Sequence, residues 1–200
     1  MLEARDLFLG NRLAGVSAAL RPGEITAICG PNGAGKSSLL QALAGLLATE
    51  SGAVWLEGTS LASLPARDRA RAIGYLPQAG EVAWDLSVRN LVALGRLPHG
   101  DGGEAQVDAA LAALDLAHQL ALLTHLRSAA EGGAGVVLVV HDLALAMNHA
   151  SRVLVLDRGR IAADGAPGEA LAPAVIERVW GVPARWLGEP GARALATPRA

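Results

Sequence analysis

Short apolar runs alternate along this chain with stretches whose apolar positions recur every three or four residues. Leu2–Leu9 and Leu13–Leu20 alternate loosely and predict two strands. Arg21-Pro22-Gly23 makes a tight turn, and Glu24–Cys29 predicts a buried strand. After a Gly-rich loop, Leu39, Leu40, Leu43 and Leu47 mark one face of a helix over Lys36–Leu47. Ala53–Leu56 predicts a strand, Pro65–Ala72 a short basic helix, and Ile73–Leu76 a strand stopped by Pro77. Ser87–Leu97 predicts a helix with Ser87 as N-cap, and His99–Gly103 a Gly-rich loop. Glu104–Ala130 predicts continuous helix, ended by Gly132, Gly133 and Gly135. Val136–Val140 predicts a strand, Asp142–Ala150 a helix and Arg152–Leu156 a strand. Asp157-Arg158-Gly159-Arg160 then predicts a hairpin turn into Ile161–Ala163. The Pro- and Ala-rich tail holds one helix around Pro173–Gly181. The alternation predicts an α/β fold with crossovers, and no repeat or linker divides the 200 residues, so one domain is expected.

Composition narrows the classes. Hydrophobic residues are 52% of the chain and charged residues 18%, which excludes a disordered chain. A net charge of -2 argues against a nucleic-acid binder, which needs clustered Lys and Arg to neutralise phosphates. Cys29 is the only cysteine, so no internal disulfide and no zinc or iron–sulfur site of cysteines can form, as suits a reducing cytosol. Glu3, Arg5 and Asp6 interrupt the region where a signal peptide would need an apolar core. The strongly apolar stretches fall short of the roughly 18–20 residues that cross a bilayer. A soluble cytosolic protein is expected, reaching a membrane only through a partner.

Gly30-Pro31-Asn32-Gly33-Ala34-Gly35-Lys36-Ser37 fits the phosphate-loop pattern G-x-x-x-x-G-K-[ST], with a strand before it and a helix after it. Glycines let successive backbone amides converge on phosphate oxygens, and the helix start adds free N–H groups. Lys36 is expected to reach the β- and γ-phosphates, and Ser37 to place its hydroxyl on Mg²⁺. The alternative is a Gly-rich strand-to-helix turn without a ligand. Cys29, beside the loop, reads as a small buried filler.

With Arg21-Pro22-Gly23-Glu24 ahead of it and Ser38 after it, this loop resembles that of the ATP-binding subunits of ABC transporters, a likeness spanning nearly the whole chain. The resemblance implies a P-loop NTPase sheet flanked by helices, with N-terminal antiparallel strands and a shortened helical subdomain. It implies that Gly30, Pro31, Asn32, Gly33, Ala34, Gly35, Lys36, Ser37 and Ser38 hold ATP. Tyr75-Leu76-Pro77-Gln78 resembles the Q-loop, which would make Gln78 the residue that senses Mg²⁺ and the attacking water. Leu114-Asp115 resembles the end of the D-loop. Val136–Val140 with His141-Asp142 resembles the switch strand, which would put His141 on the γ-phosphate, and the 26-residue step from Asp115 to His141 suits the family. Adenine usually stacks on an aromatic upstream of the P-loop; Phe8 is the only one there, and core packing explains it equally well.

Two family parts are missing. No Ser-Gly-Gly of the signature and no Asp-Glu of the Walker B strand occurs. Asp101-Gly102-Gly103-Glu104-Ala105-Gln106 imitates a signature, but follows Pro98-His99-Gly100 and reads as a loop opening a helix. Asp157 follows an apolar run, but Arg158-Gly159 makes that a hairpin. Asp108 lies seven residues before Asp115, in register for Walker B, but reads as an exposed helix residue. An internal loss of some tens of residues between about Gln106 and Asp115 accounts for both gaps. The lost strand is expected beside the Glu24–Cys29 strand, so that its absence would strand backbone groups in the core. An unstable chain with weak nucleotide binding and no useful ATP turnover would follow.

The leading reading is the ATP-binding subunit of an importer, a homodimer on the inner face of the cell membrane. It would work with transmembrane permease subunits and, indirectly, a substrate-binding protein. Tyr75–Gln78, the Gly95–His99 stretch and His141–Leu143 resemble the importers of iron–siderophore complexes, haem or cobalamin. A non-hydrolysing remnant of such a subunit is the first rival, and a small P-loop kinase the second. His118 and His125 read as surface histidines, Trp180 and Trp186 as packing of the C-terminal appendage, and Arg67, Arg69 and Arg71 as a solvated helix face.

Overall fold

The computed structural model describes residues 1–76, 88–101, 103–115 and 119–197. In chain order its elements begin with β1 (Leu2–Leu9), β2 (Leu13–Leu20), β3 (Ile25–Cys29), α1 (Lys36–Leu43), β4 (Ser51–Leu56) and β5 (Thr59–Ser60). Next come α2 (Ala66–Ala72), α3 (Val88–Leu94), α4 (Glu104–Asp115) and α5 (Gln119–Glu131). The chain continues through β6 (Val136–Val139), α6 (Leu143–His149), β7 (Arg152–Asp157) and β8 (Arg160–Gly165). It closes with α7 (Pro167–Ala170), α8 (Pro173–Trp180), β9 (Arg185–Leu187) and β10 (Ala194–Ala196).

The first two predicted strands and the Arg158-Gly159 hairpin turn form where the pattern placed them. Both turn residues have positive φ, 47° and 75°, as a tight two-residue hairpin turn requires. One expectation needs correction. Ile73–Leu76 joins no strand; without a paired neighbour among the described residues, β-branched Ile73 alone does not make one. The helix predicted through Glu104–Ala130 is helical over α4 and α5, and the three residues between them, 116–118, lie outside the described residues.

The chain divides into two compact units, Met1–Ala62 with Leu126–Ala200, and Ser63–His125. In the first, an antiparallel sheet runs β2-β1-β4-β5, and a second sheet runs β6-β3-β7-β8. In the second sheet β6, β3 and β7 are parallel, and β8 returns antiparallel on β7. All five residues of β3 are buried, as are Val153–Leu156 of β7. That is why both read as apolar runs without alternation, Thr26 being the one polar residue in those buried stretches: a parallel strand covered on both faces has no solvent side.

The expected place of the missing strand is wrong. β3 is paired on both edges, with β6 in register Ile25↔Val136 to Ile28↔Val139 and with β7 in register Thr26↔Arg152 to Cys29↔Val155. The lost strand therefore cannot be the neighbour of β3. The parallel edge left open among the described residues is that of β6, whose four apolar residues are only half-buried. The Val136 amide donates to the Glu24 carbonyl and the Val140 amide to that of Ile28 (2.9 and 3.1 Å). By alternation, Val137 and Val139 turn their backbone groups away from β3. A strand lost from beside β6 would open an edge and not the centre of the core.

In the second unit, α3 packs on α4. Asp108 is exposed, in an ion pair of 2.6 Å with Arg89, and Glu104 opens α4 as expected for a loop-to-helix junction. The arginines of α2 are not simply a solvated face. Arg67 Nε and Arg71 Nε, one turn apart, both donate to the Pro98 carbonyl (2.9 and 2.7 Å).

Candidate nucleotide-binding site

β3 ends at Cys29, and the loop Gly30–Gly35 carries the chain to the start of α1. Gly30, Gly33 and Gly35 have φ of 149°, 79° and 100°, a region that favours glycine. A side chain at Gly30 would strike the carbonyl of Leu156 on β7, and one at Gly35 the carbonyl of Arg12 in the β1–β2 turn. Gly33 has open space around it. The loop is thus gripped at its two ends and free at its tip.

Further backbone contacts brace it. The Gly159 amide donates to the Ala34 carbonyl (3.1 Å), and the Ala14 amide to the Gly159 carbonyl (2.8 Å). Two hairpin turns, β1–β2 and β7–β8, therefore hold the loop. Arg12, Leu156 and Gly159 escaped the sequence reading because they act through carbonyl and amide groups, which carry no side-chain signature.

α1 begins at Lys36 with Gly35 as N-cap; no side chain caps it and no acidic residue lies in its first turn. Its first amides are left for an external acceptor, and the helix end favours an anion. The Lys36 side chain is buried, and its Nζ donates to the carbonyls of Gly30 (2.7 Å) and Pro31 (2.8 Å). Burial pulls the Lys36 pKa below its ordinary value, with Cys29 opposing. Cys29 is fully buried, and burial pushes its thiol up to about 12 against the pull of Lys36. Ser38 is buried, whereas Ser37 is exposed on the first turn of α1, where its hydroxyl is open to a cation. A loop of amides, an uncapped helix start and one ammonium group fit a polyphosphate; Ser37 fits as a single protein ligand for Mg²⁺.

The Val140 amide reaches the Ile28 carbonyl (3.1 Å), so β6 and β3 end level. His141 therefore leaves the sheet at the same carboxyl edge as the Gly30–Ser38 loop, and it is exposed. In open α/β sheets that edge is where ligands bind. Asp142 follows and caps α6, its Oδ1 accepting from the amides of Ala144 (2.8 Å) and Leu145 (3.2 Å). Gln78, with Pro77, lies outside the described residues. Phe8 is not core: its side chain is 38% exposed, with its ring against Gly15.

The model of the family described as ABC transporter matches residues 13–158. This chain belongs to the ABC transporter family. As an ATP-binding subunit of that family it is similar to the hemin import ATP-binding protein HmuV of Pseudomonas entomophila (strain L48), 35% identical over 237 residues, covering 91% of this chain and 93% of that one. It is likewise similar to the protein of the same name from Nocardia farcinica (strain IFM 10152), 37% identical over 246 residues, covering 94% and 85%. Both matches run over more positions than this ABC subunit has residues, so several tens of positions in the relatives face nothing here. Among solved structures, an ATP binding subunit of an ABC transporter superposes with a TM-score of 0.75 at 23% identity, covering 90% of this chain and 93% of that one. A putative metal-chelate type ABC transporter in an inward-facing conformation gives 0.74 at 18% identity, covering 97% and 95%. These two show the fold, and a kinase reading falls away.

Proposed function

We propose that this subunit binds Mg-ATP through Gly30–Ser38 in an importer of the haem class, and that it turns nucleotide over slowly. The observation that carries the binding half is the loop itself: braced at both ends, left open at Gly33, and followed by an uncapped helix start. In this reading Lys36 leaves the carbonyls of Gly30 and Pro31 and moves its ammonium onto the β- and γ-phosphates. Backbone amides of Asn32–Lys36 take the remaining phosphate oxygens, and Ser37 and Ser38 lie at the start of α1 beside them. Mg²⁺ would offset phosphate charge, held by the Ser37 hydroxyl; Gln78, which the family resemblance gives as its second protein contact, lies outside the described residues. His141 donates to the γ-phosphate, which makes it the residue that separates ATP from ADP.

The hydrolysis half rests on what does not accompany that loop. Attack on the γ-phosphoryl group needs a carboxylate within hydrogen-bond reach of the water. No Asp-Glu pair follows an apolar strand in the sequence, and β6 has an open edge among the described residues. The relatives' additional positions agree with a lost segment, which we place near residues 106–115. Loss of one such group lowers turnover by about 10²–10⁴. The names of the relatives favour haem as cargo over an iron–siderophore complex or cobalamin. Among the described residues no helix is long and apolar enough to cross a membrane, so attachment to the inner face would come from permease subunits, with a second ATP-binding subunit alongside.

Calorimetric titration with Mg-ATP, paired with a phosphate-release assay, tests both halves. Saturable binding with release near the background of Lys36→Ala supports the proposal. Absence of binding at millimolar ATP overturns the first half, and release at an ordinary ABC-ATPase rate that Lys36→Ala abolishes overturns the second.

A further inference from the structure

We infer that Asn148 is a positioning residue for His141, acting along α6 and anchored by the β9–β10 hairpin. The inference rests on the γ-phosphate role given to His141 above and adds to it the part of the chain that holds the histidine in place.

α6 has seven residues, too few to be stable alone, so its position depends on what grips its ends and its buried face. At its start, Asp142 directly follows His141 and caps the helix through two amides. Along its length Leu143, Ala146 and Met147 are buried in a cluster with Val153, Val155, Leu171 and Ile176. At its end, Asn148 makes a reciprocal pair with one residue of the C-terminal segment. Its Nδ2 donates to the Arg193 carbonyl and its Oδ1 accepts from the Arg193 amide, each at 2.8 Å.

That pair is a side-chain amide imitating a strand partner, and it saturates both backbone groups of Arg193 one residue before β10. The hairpin is itself fastened, since Trp186 Nε1 donates to the Leu171 carbonyl (2.8 Å) and Leu195 packs on the same cluster. Arg193 Nη1 adds a contact to Met147 Sδ at 3.7 Å. A short rigid helix thus spans from the histidine to a fixed hairpin. Releasing its far end leaves β6 and the Gly30–Ser38 loop untouched while freeing the backbone at His141–Asp142.

The consequence is selective. ADP, which has no γ-phosphate, does not reach His141, so loss of Asn148 should weaken ATP and spare ADP. The test is a pair of titrations of the full chain, with Mg-ATP and with Mg-ADP, on the wild type and on His141→Ala, Asn148→Ala, Asn148→Leu and Arg178→Met. Asn148→Leu keeps the branched outline of the side chain while removing both hydrogen bonds, and Asn148→Ala removes them without adding bulk. Arg178→Met removes a bond of α8 to the Ala162 carbonyl in which no residue of α6 takes part, and matches the loss of one hydrogen bond.

We expect the wild type to prefer ATP by about tenfold, the factor of one hydrogen bond to a charged group. His141→Ala and both Asn148 variants should fall to near parity with ADP affinity within about twofold of wild type, and Arg178→Met should keep the preference. If His141→Ala loses the preference and the Asn148 variants keep it, the inference is overturned while the proposed function stands. Equal weakening of ATP and ADP in the Asn148 variants also overturns it, because that is what general loosening would do. A wild type that binds neither nucleotide, or a His141→Ala that keeps the preference, overturns the reading of His141 and the inference with it.

Discussion

The backbone carbonyl of Arg12, in the turn between β1 and β2, lies where a side chain on Gly35 would have to go. One sheet thereby sets the shape of a loop that belongs to the other. Gly35→Ala meets a backbone oxygen and also a φ of 100°, whereas Gly33→Ala meets only the φ of 79° in open space. We expect Gly35→Ala to cost about 3 kcal/mol and Gly33→Ala about 1 kcal/mol in urea denaturation. Equal costs would mean that the Arg12 contact does not shape the loop.

Lys36 is a buried ammonium satisfied by two carbonyls rather than by a carboxylate. Desolvation then opposes what the hydrogen bonds gain. Lys36→Met should leave stability within about 1 kcal/mol of wild type and weaken Mg-ATP by about a hundredfold. A thermal melt beside a nucleotide titration separates the two effects.

Burial pushes the Cys29 thiol up to about 12 in the fold, against 9.0 for a free thiol. A raised pKa means that the folded state holds its proton where the unfolded chain has lost it. The contribution to stability is complete below pH 9 and is lost as pH rises from there towards 12. Cys29→Ala should flatten that alkaline decline in denaturant midpoints. In the native wild type the thiol should also stay unmodified by iodoacetamide at pH 8 and react once the protein is unfolded in urea.

Arg152 joins the two four-stranded sheets of the first unit. Its Nε and Nη2 donate to Asp164 on β8 (2.6 and 2.7 Å), and its Nη1 to the Ala19 carbonyl on β2 (2.5 Å). The pair is mostly covered, at 19% and 30% exposure, and bidentate. Arg152→Ala should destabilise the chain by about 2 kcal/mol. Arg89→Ala, which breaks an exposed pair, should change stability by less than about 0.5 kcal/mol. Chemical denaturation of both variants checks the contrast.

Much of this protein is written in local pattern. Apolar runs without alternation marked β3 and β7 because strands buried on both faces have no polar side to show. The spacing of glycines, lysine and serine over residues 30–37 marked the phosphate loop because amide convergence and a helix start demand those residue types at those positions. The Arg158-Gly159 turn was legible for the same reason: positive φ selects its residues.

What the pattern could not convey is who stands beside whom. That β3 lies between β6 and β7, so that a lost strand would open the edge of β6 and not the centre, is a matter of strand order, which no run of residues encodes. The arginines of α2 read as solvated because their acceptor, the Pro98 carbonyl, is 27 and 31 residues away. Arg12, Gly159 and the pair of Asn148 with Arg193 were invisible too. Each depends on a peptide group, the part that every residue shares (that of Arg193 in the pair with the Asn148 side chain), and only the folded chain decides what those groups meet.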